Sequence, residues 1–285
     1  AAIATRLARS GKRTLLYQTN ANDRLGPYYG KPPVGHEAVE LEPNLSAINT
    51  NPADAIAEYG LMILKFKTIY EMVFENRVTK AFLRAIPGLD DYALLGKLWF
   101  HTTEQKRGKN VWDTVVFDMP ASGHSVSMLR IPEVIIKTVP EGPLTRDARS
   151  VKELLSDGAR TSAIIVTLAE EMPVNEAVEL EGKLGELGIA TQQMIVNQVY
   201  PDHFPPGAPV TKVLDALVAQ QGQLATPLAE VTAHASLSRD RRALNARYLT
   251  EVTKRAKSPV IQLPMLFAPS LGPEHVAHLA TLLPK

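Results

Sequence analysis

Cysteine is absent from the 285 residues. That absence excludes disulfides, thiolate zinc sites and cysteine nucleophiles together, and it fits a cytoplasmic setting. No run of about 18 apolar residues occurs, so no transmembrane helix is expected. Charge of one sign is not in excess. Lys and Arg number 31 against 30 Asp and Glu, so electrostatics alone points to neither nucleic acid nor a membrane surface as partner. The seven histidines show no H-x-x-x-H or H-E-x-x-H spacing, which argues against a metal site built on them. His275 and His278 share a helical face but lack a third ligand. Ser122 and Ser125 lack the Gly-x-Ser-x-Gly elbow of a serine nucleophile. No Gly-x-x-x-x-Gly-Lys-Ser/Thr phosphate loop appears anywhere in the chain, and no internal repeat or low-complexity tract is visible.

What is present is an α/β pattern. Residues 1–11 read as a helix with apolar positions 3, 4, 7 and 8 and a stop at Gly11; its arginines lie within the apolar pattern, unlike a signal peptide. Residues 12–19 (KRTLLYQT) read as a strand with a buried centre, and 20–30 as a turn-rich loop. Two short strands are expected at 38–41 and 45–48, and further strands at 112–117, 163–168, 189–196 and 260–263. Helical patterns separate them at 125–139, 148–155, 173–187, 211–221, 227–257 and 273–283. Strands alternating with helices imply right-handed crossovers and a parallel sheet. Residues 52–107 are the exception: a nearly all-helical stretch, capped by Asn51-Pro52 and broken at Pro87-Gly88, that reads as a helical subdomain inserted in an α/β core. Met62, Phe66, Met72, Phe74, Leu94, Leu95, Leu98, Trp99 and Phe100 are expected to form its own core; the competing reading is a groove for an apolar helix, to which methionine's flexible thioether is suited.

Ligands of an open parallel sheet sit beyond the carboxyl ends of its strands. Three such ends carry polar residues here: Thr19-Asn20, Asp118 and Asn197. The run Val115-Val116-Phe117-Asp118 has the Walker-B form, an apolar strand ending in an acid that holds Mg²⁺ or its water while the metal bridges phosphate oxygens. The following Pro120-Ala121-Ser122-Gly123 lets a backbone N–H approach a terminal phosphate, because glycine has no Cβ to obstruct it. The competing reading is a capping aspartate and an ordinary turn.

Asp118 to Ser125 (DMPASGHS) resembles the Asp-Thr-Ala-Pro-Thr-Gly-His-Thr signature of the ArsA-like ATPases, read with one residue fewer between Asp and Pro. That family includes the arsenite-pump ATPases and the eukaryotic targeting factor for tail-anchored membrane proteins. The likeness continues in order along the chain. Met128 to Val134 (MLRIPEV) resembles a Leu-Leu-Arg-Leu-Pro-Glu-Val run of bacterial members, and Glu170-Glu171-Met172 their Pro-Glu-Glu-Met helix start. Val196-Asn197-Gln198-Val199-Tyr200-Pro201 resembles a Val-Asn-Gln/Arg-x-x-Pro loop, and Leu263-Pro264-Met265-Leu266 the C-terminal adenine-side loop. Asn20-Ala21-Asn22-Asp23-Arg24 resembles the Asn-Ala-x-x-Arg of a bacterial branch.

The resemblance implies a single P-loop NTPase-like domain over 1–285, with 52–107 in the place of the helical client-binding subdomain. It implies ATP and Mg²⁺ as ligands. Asp118 would order the metal through water, Gly123 would sense the γ-phosphate, Asn197 would read adenine, and Pro264, Met265 and Leu266 would line the base pocket. Hydrolysis would open and close a homodimer, or a pair with a paralogous ArsA-like subunit, with an apolar helix or membrane protein as possible client. Four departures qualify this. The first strand and phosphate loop of the family would directly precede Ala1, so the chain is expected to begin just after them and to be inactive as it stands. Asn20 replaces the aspartate that orients the attacking water, and an amide is not a base; Asp23 is the nearby candidate substitute, its alternative role being a turn former. Ser127 stands where many members carry Arg. No cysteine exists to bind arsenite or a dimer-bridging zinc. The alternative function is a non-hydrolysing partner of an active ArsA-like ATPase.

Overall fold

Strand β1 (Thr14–Thr19) runs through the middle of a four-stranded sheet in the computed structural model. Its first four residues are fully buried, as expected for a strand covered on both faces. It pairs in parallel with β3 (Leu45–Thr50) on one side and β6 (Thr114–Asp118) on the other. Strand β2 (Val39–Glu42) returns antiparallel on β3, through a turn at Asn44 that takes the left-handed conformation asparagine tolerates. Residues 1–284 are described apart from 20, 21, 24 and 65–87, with the backbone alone for 59–64.

Alternation along β1 divides the core. Leu15 and Tyr17 face a cluster containing Ile48, Leu94, Leu95, Leu98, Met128 and Val151, whereas Leu16 joins Ala4, Ala8, Leu45 and Ala47 on the other face. The second face is covered by α1 (Ala2–Arg9), which also packs on α10 (Pro273–Leu282). The first is covered by α4 (Leu89–Thr103), α5 (Ser122–Thr138) and α6 (Pro143–Ser156). Pro132 lies inside α5, whose ladder therefore lacks one N–H donor.

The segment 52–107 begins with α3 (Pro52–Leu64), capped by Asn51, whose side-chain oxygen accepts the Asp54 N–H at 3.0 Å. Phe66, Met72 and Phe74 lie outside the described residues, and so does the expected break at Pro87. Leu94, Leu95 and Leu98 do not form a separate core for the segment. They pack on β1, and the Tyr17 hydroxyl donates to the Leu94 carbonyl at 2.9 Å. Trp99 packs against the same cluster, while Phe100 is exposed. The rear of the segment is thus continuous with the core of the sheet. Lys97 fastens the front: its buried ammonium donates to Glu58 on α3 at 2.9 Å, to Thr50 at the end of β3 and to the His36 carbonyl. The helical run also ends sooner than its pattern suggests. Strands β4 (Gln105–Lys106) and β5 (Lys109–Asn110) form a hairpin across Arg107 and Gly108. Both turn residues have positive φ, the geometry that two-residue hairpins demand.

These elements belong to one unit, Ala1–Thr161 with Leu187–Ile189 and Ala268–Lys285; Ser162–Glu186 and Ala190–Phe267 make a second. The second holds a parallel sheet in the order β7 (Ala163–Leu168), β8 (Thr191–Val199), β9 (Val260–Pro264). Helix α7 (Glu171–Glu186) packs on β7, and the long α9 (Thr226–Arg255) packs on α7 and on α8 (Pro209–Ala219). Both sheets are mainly parallel, as the α/β pattern predicts. Buried Glu181 on α7 accepts the N–H groups of Lys257 and Ser258 at 2.9 and 2.8 Å, closing the turn into β9. No helix among the described residues is long and apolar enough to cross a membrane.

Candidate functional site

Asp118 is the last residue of β6, and its register partner on β1 is Gln18. The Gln18 side-chain N–H donates to Asp118 Oδ2 at 3.3 Å, and the Gln18 Oε1 is buried without a hydrogen-bond partner among the described residues. An exposed carboxylate thus stands beside an orphaned acceptor at the carboxyl end of two adjacent parallel strands. The exposed carboxylate can attract a hydrated cation and accept a hydrogen bond from one of its waters. No group of three or more His, Asp or Glu that could enclose a metal occurs among the described residues. A single exposed carboxylate fits a metal that keeps most of its waters, as Mg²⁺ does.

The chain then turns through Met119 and Pro120 into α5, whose N-cap is Ala121. The Ser125 N–H bonds back to the Ala121 carbonyl at 3.0 Å, the first bond of the helical ladder. The amides of Ser122, Gly123 and His124 lie ahead of that bond and have no intrahelical acceptor, which makes this end receptive to an anion. A side chain built at Gly123 would meet nothing within 4 Å. Packing does not require glycine here, and the approach to these amides is open. The turn is braced from both sides. The Ser125 hydroxyl donates to the Pro120 carbonyl, and His124 Nε2 lies 3.2 Å from Asp91 in the first turn of α4. His124 thus packs the turn, and Ser127 bonds its own helix at the Gly123 carbonyl.

Asp23 does not have the freedom of a base. Its Oδ1 accepts the Leu25 N–H at 2.9 Å, and its Oδ2 accepts those of Gly26 at 3.2 Å and Val34 at 2.8 Å. Both oxygens are engaged in capping the short α2 (Leu25–Tyr28) and tying down the loop behind it. A side chain at Gly26 would come within 2.2 Å of the Pro32 carbonyl, so the loop closes only on glycine. Three backbone amides thus hold Asp23 in a turn-forming position. Asn20 lies outside the described residues.

In the second unit, Asn197 and Met265 line one cleft of about 190 Å³ together with Leu168, Glu170, Arg241 and Asn245. Whole-ligand pockets run to about 300–1,000 Å³, so this one has room for a base-sized fragment. Asn197 lies within β8, which continues past it to Val199. The strand passes it only by bulging: the β8–β9 register shifts between Val196 and Val199, and Gln198 adopts φ 58°. Such a conformation costs a non-glycine residue about 1–2 kcal/mol. Pro264 is taken up in the ladder opposite Val199, and the Met265 N–H donates to the Val199 carbonyl at 2.9 Å. Neither Pro264 nor Leu266 is among the residues around the cleft.

Several residues around these two places carried no sequence signal of their own. Gln18 looks like the polar end of a strand. Arg241 sits in the basic run 239–242 that reads as a solvated face, yet it pairs with Glu170 at 3.1 Å. Asn245 lies one turn further along α9 and is buried. The spacing of Arg241, Asn245 and Tyr248 along one helical face was the available clue.

Comparison with known proteins supplies the remaining observation. Residues 1–141 and 143–221 match the family model described as anion-transporting ATPase. A putative ATPase of Mycobacterium bovis is 25% identical over 221 residues, covering 72% of this chain and 62% of that protein. A putative arsenical pump-driving ATPase of Halobacterium salinarum is 25% identical over 282 residues, covering 92% of this chain and 38% of its own length. The ATPase GET3B of Arabidopsis thaliana is 24% identical over 252 residues, covering 70% of this chain and 60% of that protein. The chain thus spans less than two thirds of the length of each of these relatives.

Proposed function

The chain belongs to the ArsA-type anion-transporting ATPase family, and from that membership we propose that it carries the switch and adenine-reading parts of a Mg²⁺-dependent ATPase that works in the cytoplasm. The observation that carries this reading is the exposed strand-end carboxylate Asp118, oriented by the Gln18 N–H, followed by the open amides at Gly123. Bound Mg²⁺ would neutralise charge on the transferring phosphoryl group. Asp118 would hold a water of the metal, Gly123 would donate its N–H to the terminal phosphate, and Asn197 would contact the adenine edge with Met265 beside it. Differential contacts to ATP and its product would then set the position of the turn 119–123.

The output on this reading is segment 52–107. Tyr17 joins β1 to Leu94 of that segment, and Lys97 joins its two described helices to the end of β3. A displacement at these strand ends would therefore be felt in the helices. An apolar helix or membrane-associated client, handled by a homodimer or by a pair with a paralogous subunit, is the favoured output by family analogy. Arsenite is disfavoured because this chain offers no soft thiolate.

One observation favours a second reading, that of a slow or non-hydrolysing partner. Asp23 is the only carboxylate between residues 20 and 36, and three backbone amides occupy it. With Asn20 an amide, no free carboxylate in this loop serves as base. Single-turnover ATP hydrolysis by the full-length gene product separates the readings. Mg²⁺-dependent phosphate release that disappears in Asp118→Asn supports the ATPase. Tight ATP binding without release, alone and with a paralogous subunit present, supports the partner.

A further inference from the structure

Where β7 and β8 part, the ladder is continued by a side chain. The last paired residues of the two strands are Leu168 and Asn197. Beyond them β8 bulges against β9 through Gln198. Asn245 of α9 bridges the Ala169 carbonyl and the Tyr200 N–H. Its Oδ1 accepts the Tyr200 N–H at 2.8 Å, and its Nδ2 donates to the Ala169 carbonyl at 3.2 Å. The side chain is only 5% exposed. A carboxamide has the donor and acceptor of a peptide group, so Asn245 stands as an inserted rung between the diverging strand ends. The same face of α9 makes two flanking contacts: Arg241 with Glu170, and the Tyr248 hydroxyl with Glu171 at 3.1 Å.

We infer that Asn245 is a positioning residue for nucleotide-base recognition: it fixes the wedge between the β7 and β8 ends and so holds Asn197 in its bulged, left-handed-flanked geometry at the cleft. The inference rests on the adenine-side reading of that cleft. Its physical basis is that the Gln198 conformation is unfavourable in isolation. Two anchors hold the chain after it: β9 through the Met265 N–H on the Val199 carbonyl, and the buried Asn245 side chain through the Tyr200 N–H. Releasing the Tyr200 anchor leaves the bulge held on its β9 side alone, which loosens Asn197 at the cleft. Phosphate contacts, which need none of these residues, are unaffected.

The test is calorimetric titration of the full-length protein with Mg-ATP and with Mg-triphosphate, for the unaltered protein, Asn245→Leu and Asn245→Asp, together with amide exchange at Tyr200. Asn245→Leu should weaken ATP about tenfold, leave triphosphate unchanged and speed exchange at Tyr200. Asn245→Asp keeps the acceptor for Tyr200 and loses the donor to Ala169, so it should recover part of the ATP affinity. If Asn245→Leu does not fold, Asn245→Asp alone must still weaken ATP selectively. Unchanged ATP affinity, or equal losses for ATP and triphosphate, would overturn the inference while leaving the nucleotide reading intact. Failure of the unaltered protein to bind ATP would overturn both.

Discussion

Gln18 and Asp118 face each other across the β1–β6 ladder, their side chains 3.3 Å apart, where β6 ends and one residue before β1 does. The contact orients Asp118 Oδ2 and leaves the Gln18 carbonyl oxygen unpaired inside the protein. A buried acceptor without a partner is uncommon; the exposed Asp118 carboxylate beside it is the group open to a metal's water. Gln18→Glu places a second negative charge against Asp118 and removes the donor. It should shift the Mg²⁺ concentration for half-maximal ATP hydrolysis several-fold while leaving ATP binding without metal unchanged. An unaltered Mg²⁺ dependence would separate Gln18 from the metal.

The loop after β1 gives a paired prediction. Asp23→Ala frees three backbone amides and should cost about 1–3 kcal/mol of stability in urea unfolding. Asn20→Asp places a carboxylate where many members of the family would have one, and should raise single-turnover hydrolysis toward the range of about 10²–10⁴-fold typical of a positioned base. Should Asp23→Ala instead abolish a measurable turnover without loss of stability, Asp23 would be the base and its capping role secondary.

Asn197→Ala should weaken ATP about tenfold, the size of roughly one lost hydrogen bond to a buried group, and should leave inorganic triphosphate unaffected. Competition binding with the two ligands reads this directly. Equal weakening of both would remove Asn197 from base recognition.

The sequence pattern carries the architecture well, including the turn after β6, and the surroundings of the cleft poorly, for reasons visible in particular residues. β1 and β7 are short apolar runs between polar boundaries, and local pattern is sufficient for them. Asp118 and Gly123 follow a strand directly, so their placement is local as well. The hairpin at 105–110 hid because two-residue strands have no periodicity. Leu94, Leu95 and Leu98 were read as a separate core because helical spacing shows that a face is buried without showing what buries it. The part of Asn245 was invisible because it depends on two strand ends 76 and 45 residues away along the chain. Asp23 was ambiguous for a related reason: its occupancy is decided by amides that only the closed loop brings near.

Acid stability offers a check on the second unit. The Glu181 carboxyl is held below the ordinary glutamate value of 4.5; burial pushes it up, but hydrogen bonds from Lys257 and Ser258 to the ionised form prevail. A lowered folded value contributes stability that is complete above 4.5 and lost as the pH falls through the folded value. Glu181→Gln should therefore lower the melting temperature at pH 7 and lose most of that difference near pH 3. A penalty independent of pH would show that the charge on Glu181 does not matter to the turn into β9.

The decisive measurement is the rate of phosphate release from ATP by the full-length protein, with Mg²⁺ and with excess chelator, for the unaltered form and for Asp118→Asn. A carboxylate that holds the metal's water predicts turnover that needs Mg²⁺ and vanishes in Asp118→Asn, with circular dichroism and melting temperature preserved. Asp118→Asn turning over ATP at the unaltered rate in Mg²⁺ would contradict it.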